Sequence, residues 1–228
     1  MKAMNTLPKL VSAVFFCFLV ALHTNTQAGL FGDSVKFADL TQLSPDGLEA
    51  LKEPELEVFL ARVELARAEE EKKKAEKDLT NAKRTLQIKE LELKAVRAEE
   101  KAAEENGETD RMGTAAAAVK KARQDMQVAN LLVSWKTEVV KARKTGVKKA
   151  KFGVELAEAK RDLAWITQLV AEKAPSAQKY SMTDYQKKVE EKQRSFDKAA
   201  IKEKLEIVEA ENAKEEYERM ATDKPGKE

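Results

Sequence analysis

Histidine and cysteine, the side chains that most often supply a general base, a nucleophile or a zinc ligand, each occur once in this chain of 228 residues. Cys17 lies inside an apolar run from Val11 to Leu22, and His23 follows that run directly. A Ser-His-Asp triad, a zinc site or a Glu-x-x-His di-iron site requires such residues elsewhere in the chain. We therefore expect no enzyme, no metal centre and no cofactor.

Oxygen-bearing side chains and two glycines come together between residues 106 and 113. Asn106, Glu108 and Asp110 could contact a calcium ion, but their spacing is not that of an EF-hand loop. Thr114 stands after Gly113 where a phosphate-binding loop has a lysine. This composition is typical of a solvated turn rather than a ligand site.

A run of cations extends from Lys136 to Lys151 and could attract nucleic acid, lipopolysaccharide or an acidic protein. The alternative is that these cations pair with Glu69, Glu70 and Glu71 on a neighbouring helix. The chain holds 42 basic and 40 acidic residues, and this near balance favours internal pairing and no nucleic-acid partner. The candidate anion-contact residues are Lys141, Arg143, Lys144, Lys148 and Lys149.

The amino-terminal residues have the pattern of a secretory leader. Lys2 and Lys9 precede the apolar run, and Thr26-Gln27-Ala28 offers small side chains at the positions that a signal peptidase reads. As a helix the run spans ~18 Å, short of the ~30 Å of a bilayer's hydrocarbon core, so an uncleaved anchor is the weaker alternative. We expect cleavage after Ala28 and export to the periplasm or cell envelope of a bacterium.

Apolar residues recur at alternating steps of four and three through two long segments, as in a coiled coil. The first seam comprises Val58, Ala61, Leu65, Ala68, Lys72, Ala75, Leu79, Ala82, Leu86, Lys89, Leu93 and Val96. The second comprises Ala115, Val119, Ala122, Met126, Ala129, Val133, Lys136, Val140, Arg143, Val147, Ala150, Val154, Ala157, Arg161 and Ala164.

Prolines, glycines and capping residues divide the chain. Ser44-Pro45 can start a short helix, Pro54 restarts the chain, and Ser181 with Asp184 resembles a capping box. The expected divisions are a signal peptide (1–28), an N-terminal segment with a short helix (29–53), a helical hairpin (54–173, tip about 106–113), a third helix (181–220) and a disordered tail (221–228).

These observations predict an all-α fold, an elongated antiparallel coiled-coil hairpin with the third helix packed on its base half. We expect a three-helix base and a two-helix tip of roughly residues 86–133. The extra rows expected at the base are Leu56, Phe59, Leu60 and Val63; Phe152, Leu156, Ala159, Leu163, Ile166 and Val170; and Tyr185, Val189, Phe196, Ala200, Ile207, Ala210 and Tyr217.

Candidate partner-contact residues lie at two places on the hairpin. Asn106, Gly107 and Glu108 form its tip. Trp135, beside Leu131 and Leu132, lies where the third helix should end, and the alternative is that Met220 or Tyr217 covers it. A further apolar cluster, Leu30, Phe31, Val35 and Phe37, could pack on the base or touch a membrane surface.

We expect a scaffold, spacer or interaction rod that binds another protein through its tip. In broad design the hairpin is similar to the coiled-coil arms of efflux adaptors, without their flanking lipoyl-like strands. The alternative is a holdase chaperone for unfolded envelope proteins. Seam charges and apolar residues left over on the third helix also permit a homo-oligomer, and nothing after the leader is apolar enough to span a bilayer.

Overall fold

The computed structural model describes residues 35–222, and all regular structure in this part of the chain is helical. The predicted leader, Leu30, Phe31 and residues 223–228 of the predicted tail lie outside the described residues. The helices are α1 (Phe37–Leu40), α2 (Pro45–Ala50), α3 (Lys52–Glu105), α4 (Thr109–Ala171) and α5 (Met182–Thr222), with a 3₁₀ turn at Pro175–Lys179 between the last two.

The helix starts follow the signals in the sequence. The Ser44 hydroxyl accepts a hydrogen bond from the Gly47 amide at 3.0 Å, and Pro45 occupies the first turn of α2. Pro54 lies in the first turn of α3, where an amide donor is not needed. The predicted restart at Pro54 is therefore two residues late.

The turn between α3 and α4 is shorter than predicted. The amide of Glu108 donates to the carbonyl of Ala103 at 3.1 Å, and that of Gly107 donates to Glu104 at 3.2 Å, which together form a Schellman motif. Gly107 has φ +65°, the left-handed conformation that glycine adopts without strain. The turn comprises residues 106–108, whereas the predicted tip ran to Gly113, which α4 accommodates in its second turn.

Helices α3 and α4 pack along the predicted seams. Every residue of the first seam is buried or half-buried, and so is every residue of the second except Arg143. Arg62 Nη2 lies 2.8 Å from Glu158 Oε1, and Arg143 Nη1 lies 2.9 Å from Glu71 Oε2. These two ion pairs join α3 to α4, which pack closely.

Helix α5 packs on α4 and makes almost no contact with α3 within the described residues. Lys192 Nζ lies 2.7 Å from Glu155 Oε2, and Lys141 Nζ lies 2.6 Å from Glu209 Oε2. The α4 residues that receive α5, such as Leu156 and Ala159, stand about half a helical turn from the seam that receives α3. Helix α4 thus separates the other two, and the expectation that the row from Leu56 to Val63 meets the third helix is wrong.

The row that α5 presents to α4 differs from the predicted one after Phe196. Two of the predicted members, Ala200 and Ile207, fall off this face: Ile207 is 38% exposed, while Ala199 and Glu206 are buried. Continuing the four-three rhythm from Tyr185 gives the observed set of buried and half-buried residues: Tyr185, Val189, Lys192, Phe196, Ala199, Glu203, Glu206, Ala210, Ala213, Tyr217 and Met220. A strict heptad thus places glutamates inward and leaves aliphatic residues outside.

The base of the helices holds the main apolar core. Val35, Leu40, Leu43 and Leu51 from the N-terminal segment pack with Trp165, Ile166, Leu169 and Ala174, and Ile166 and Leu169 have no exposed surface. Val35 therefore packs on the base, whereas Phe37 from the same predicted cluster is 41% exposed. The N-terminal segment with its short helices therefore packs against the carboxyl end of α4, next to the start of α3.

Candidate partner-binding surfaces

The turn at residues 106–108 is an exposed surface with room around it. Asn106 and Gly107 are exposed, and a side chain added at Gly107 would meet no atom within 4 Å. Glu108 is half-buried because its carboxylate lies 2.7 Å from Arg111 Nη1. The three predicted tip residues are thus together on one accessible turn.

The turn stands on a section of α3 and α4 that is thin compared with the base. Its core consists of Leu93, Val119 and Ala122, with Val96 and Met126 packed against them. The last aromatic contact of α5 with α4 joins Tyr217 to Trp135, so residues of α4 nearer the turn have α3 as their main partner. A contact made at the turn would therefore act on two helices only.

Trp135 is covered by α5. Its ring stacks on that of Tyr217 with centroids 5.5 Å apart and planes 24° apart, and Lys136 Nζ lies 3.8 Å from the indole centroid. Leu131 and Leu132 are half-buried beside it. The arrangement matches the alternative in which Tyr217 covers the indole, which leaves little of Trp135 for an outside partner.

Three of the five candidate anion-contact residues hold carboxylates of the same chain. Lys141 pairs with Glu209, Arg143 with Glu71, and Lys149 with Glu203 at 2.5 Å. The hydrogen bond that Lys141 donates to Glu209, followed by the one that it donates to Glu138, raises the pKa of Lys141. These cations therefore join α4 to both neighbouring helices.

The other two cations of that run are differently placed. Lys148 Nζ lies 5.8 Å from the ring centroid of Phe152, and Lys144 is exposed. The alternative of pairing between this run and Glu69–Glu71 is met by one ion pair, Arg143 with Glu71, whereas Lys149 pairs with Glu203 of α5. Of the five candidate anion-contact residues, only Lys144 and Lys148 are therefore placed to bind an outside anion.

Buried polar groups at the base are engaged in local hydrogen bonds. The Tyr180 hydroxyl donates to Asp39 Oδ2 at 2.5 Å, and Lys179 Nζ lies 3.3 Å from Oδ1. Hydrogen bonding from Tyr180 is the main reason that the pKa of Asp39 is lowered, and Lys179 adds to it against the effect of desolvation. Asp39 thus fastens the N-terminal segment to the 3₁₀ turn.

Two rows of apolar side chains are exposed: the one on α3 was not foreseen as a surface from the sequence, and the one on α5 was foreseen only as unnamed leftover apolar residues of the third helix. On α3 the row comprises Leu56, Phe59, Leu60 and Val63, which are 48–55% exposed. On α5 the row comprises Ile201, Leu205 and Val208, of which the first two are 62% exposed. The signal was present, because apolar residues at outward heptad positions mark a second contact face.

Within residues 35–222, no group of acidic, histidine or cysteine side chains is arranged to hold a metal ion. None of the helices in this range is long and apolar enough to cross a bilayer. Comparisons of the chain with protein-family models, curated proteins and solved structures found no match.

Proposed function

We propose that this chain is an exported, non-enzymatic coiled-coil protein of the bacterial cell envelope that acts as a scaffold, spacer or interaction rod. In this proposal α3 and α4 form an elongated antiparallel coiled-coil hairpin, α5 strengthens its base half, and the turn at residues 106–108 engages another protein. At 1.5 Å per residue, the 54 residues of α3 extend ~80 Å, long enough to separate a base from a binding site.

One observation carries the proposal: the exposed turn lies at the end of a two-helix section, far from the apolar base. The Schellman hydrogen bonds of Glu108 and Gly107 give the turn a fixed backbone, so a partner would meet a preformed surface. The heptad seams give the section stiffness without chemistry of their own, which suits a spacer.

The experiment is photo-crosslinking in living cells from a probe amino acid at Glu108, with Glu69 on the exposed side of α3 as the matched control position. A tip-binding scaffold should give one or a few discrete adducts from Glu108 and none of them from Glu69. Equal patterns from the two positions would reject a role for the turn.

The holdase alternative has one observation in its favour, the exposed row Leu56, Phe59, Leu60 and Val63 on α3. Unfolded chains bind exposed apolar surface with little selectivity. A holdase would suppress aggregation of several unrelated unfolded proteins, and Phe59→Glu would abolish that effect while Asn106 substitutions would not. A scaffold would show neither behaviour.

A further inference from the structure

The outward row of α5 consists of Ile201, Leu205 and Val208, spaced by four and three residues and therefore aligned on one side of the helix. Ala199, Glu206 and Ala210, which point to α4, are buried, so the row lies on the side turned away from α4. Outward positions of a coiled-coil helix are normally polar. Aliphatic side chains that are 51–62% exposed there indicate a helix with a second contact face.

Charged side chains lie on both sides of the apolar row of α5. Arg194 and Lys198 precede the row, whereas Glu211 and Glu215 follow it, and all four are exposed. In the described part of the chain, Lys198 and Glu211 make no ion pair. Glu190, which pairs with Arg194, and Asp197 also lie on this side of the helix before the row. Reversing one copy against another about the row sets Lys198 opposite Glu211, Arg194 opposite Glu215 and Glu190 opposite Arg219, so unlike charges face each other.

We propose that α5 is the interface of a homodimer in which two copies of the chain pair antiparallel about a two-fold axis between Lys204 and Leu205. Ile201 of one copy then lies beside Val208 of the other, and the two Leu205 side chains meet near the axis. Lys198 faces Glu211 of the second copy and Arg194 faces Glu215, each pair occurring twice because the interface is isologous.

The row on α3 fits a second copy less well. It is flanked by Glu53, Glu57 and Glu64, all exposed, so two copies of that face would bring acids together. The charge pattern therefore selects α5. Three aliphatic residues per copy and exposed ion pairs give a small interface, which suits a dimer of about micromolar affinity.

The dimer has a geometric consequence that is independent of the proposed scaffold role. Ion pairs such as Lys141 to Glu209 and Lys149 to Glu203 put Leu205 level with α4 residues close to Thr145. The turn at Gly107 is then ~60 Å from the axis, and the two-fold symmetry directs the two turns to opposite ends, about 120 Å apart.

The test is the oligomeric state of the full chain, purified from cells that express it, measured by sedimentation equilibrium from about 1 to 100 μM. The wild type is expected to form a dimer in this range. Leu205→Glu should weaken dimerisation at least about hundredfold, because it places two acids at the axis. Leu91→Glu is the matched control, since Leu91 is an exposed leucine of α3 (64%) outside the proposed interface, and it should leave the dimer unchanged.

A charge exchange tests the antiparallel register itself. Lys198→Glu and Glu211→Lys should each weaken the dimer about tenfold, and the double substitution should restore it, because each copy then again opposes unlike charges. Circular dichroism checks that every variant keeps its helices. A monomeric wild type, a dimer insensitive to Leu205→Glu, or a double variant as weak as the single ones would each overturn the proposal.

Discussion

A lysine in the left-handed backbone region ends α4. Lys173 has φ +54°, the one positive value among the non-glycine residues of the described chain. It stands where the amide of Ala174 donates to Leu169 at 2.9 Å and that of Lys173 donates to Val170 at 3.1 Å, the same Schellman pattern that Gly107 completes at the turn. An L side chain at this position is strained, whereas glycine is not.

Lys173→Gly should therefore raise the free energy of unfolding by about 1 kcal/mol, since the relief of left-handed strain exceeds the added entropy of the unfolded chain. Urea unfolding followed by circular dichroism measures the change. Lys173→Ala is the matched control, because alanine keeps the strain, and its stability should remain close to that of the wild type. Equal effects of the two substitutions would contradict this reading of the residue.

Glu172 connects the end of α4 to the N-terminal segment. Its carboxylate accepts hydrogen bonds from the Ser44 amide at 2.7 Å and the Ser44 hydroxyl at 2.8 Å, and from Gln168 Nε2 at 3.0 Å. The Ser44 amide is the largest cause of the lowered pKa of Glu172, followed by Gln168 and the Ser44 hydroxyl. A lowered pKa means that the folded state prefers the ionised carboxyl more than the unfolded chain does.

The stability that this carboxylate contributes is present above the ordinary glutamate pKa of 4.5 and is lost as the pH falls below it towards the lowered folded value. Glu172→Gln should reduce stability at pH 7 and flatten its decline below pH 4.5. Urea midpoints between pH 7 and pH 3 measure both effects. Glu90→Gln, at an exposed position of α3, should leave the pH profile of the wild type in place; a profile for Glu172→Gln as steep as that of the wild type would show that this contact contributes nothing.

At the scale of elements, helix α5 carries a buried acid in its seam. Glu206 is 5% exposed, its Oε1 lies 3.7 Å from Lys202 Nζ, and its Oε2 has no hydrogen-bond partner among the described residues. Replacing a buried, incompletely paired charge by an apolar side chain of similar volume is commonly neutral or stabilising.

Glu206→Leu should raise the protein's free energy of unfolding by about 1 kcal/mol, because a leucine suits the α4–α5 contact better than a buried carboxylate. Thermal and urea unfolding measure the gain. Glu216→Leu makes the same chemical change at an exposed position of α5 and should stay within about 0.5 kcal/mol of the wild type. A large loss of stability in Glu206→Leu would mean that the carboxylate is held by contacts stronger than the one with Lys202.

Much of this element-scale arrangement follows from the sequence, and the exceptions have physical causes. The heptad rhythm of α3 and α4 identifies their packed faces because one stripe is enough to place two helices. On α5, hydrophobicity favours Ile207 over Glu206, but the register of the helix, set by Tyr185 to Phe196, decides which side chain points inward. The turn was predicted too long because Gly113 reads as a loop residue, although α4 tolerates it at modest cost.

The interaction surfaces were less predictable than the helices. Trp135 could be assigned either to a partner or to Tyr217 from the sequence, because its cover depends on how far α5 extends along α4. The exposure of the row from Leu56 to Val63 depends on which side of α4 receives α5, and that choice is made by packing rather than by any local signal. Local sequence patterns therefore identify the apolar faces of the helices, whereas the helix that each face contacts is known only from the structure.

At the scale of the whole molecule, α4 is the shared partner of the other long helices. Helix α3 packs on one side of it and α5 on another, and the base core caps its carboxyl end. The section near the turn depends on the α3–α4 seam, so its length should be adjustable in whole heptads without disturbing the base.

Two heptads can be removed from each helix of this section, residues 89–102 of α3 together with 116–129 of α4. The protein should still fold, with its turn ~21 Å nearer the base. The deletions remove the core around Leu93 and Val119 but keep the heptad register, and the Schellman residues around Gly107 remain, so slow amide exchange is expected at Gly107 and Glu108. The matched control removes 89–102 with 116–127, which rotates the retained part of α4 by about half a turn and should expose its amides near the turn to fast exchange. Similar protection in both variants would mean that the section is held by something other than the heptad seam, and loss of protection in both would mean that it depends on residues within the deleted heptads.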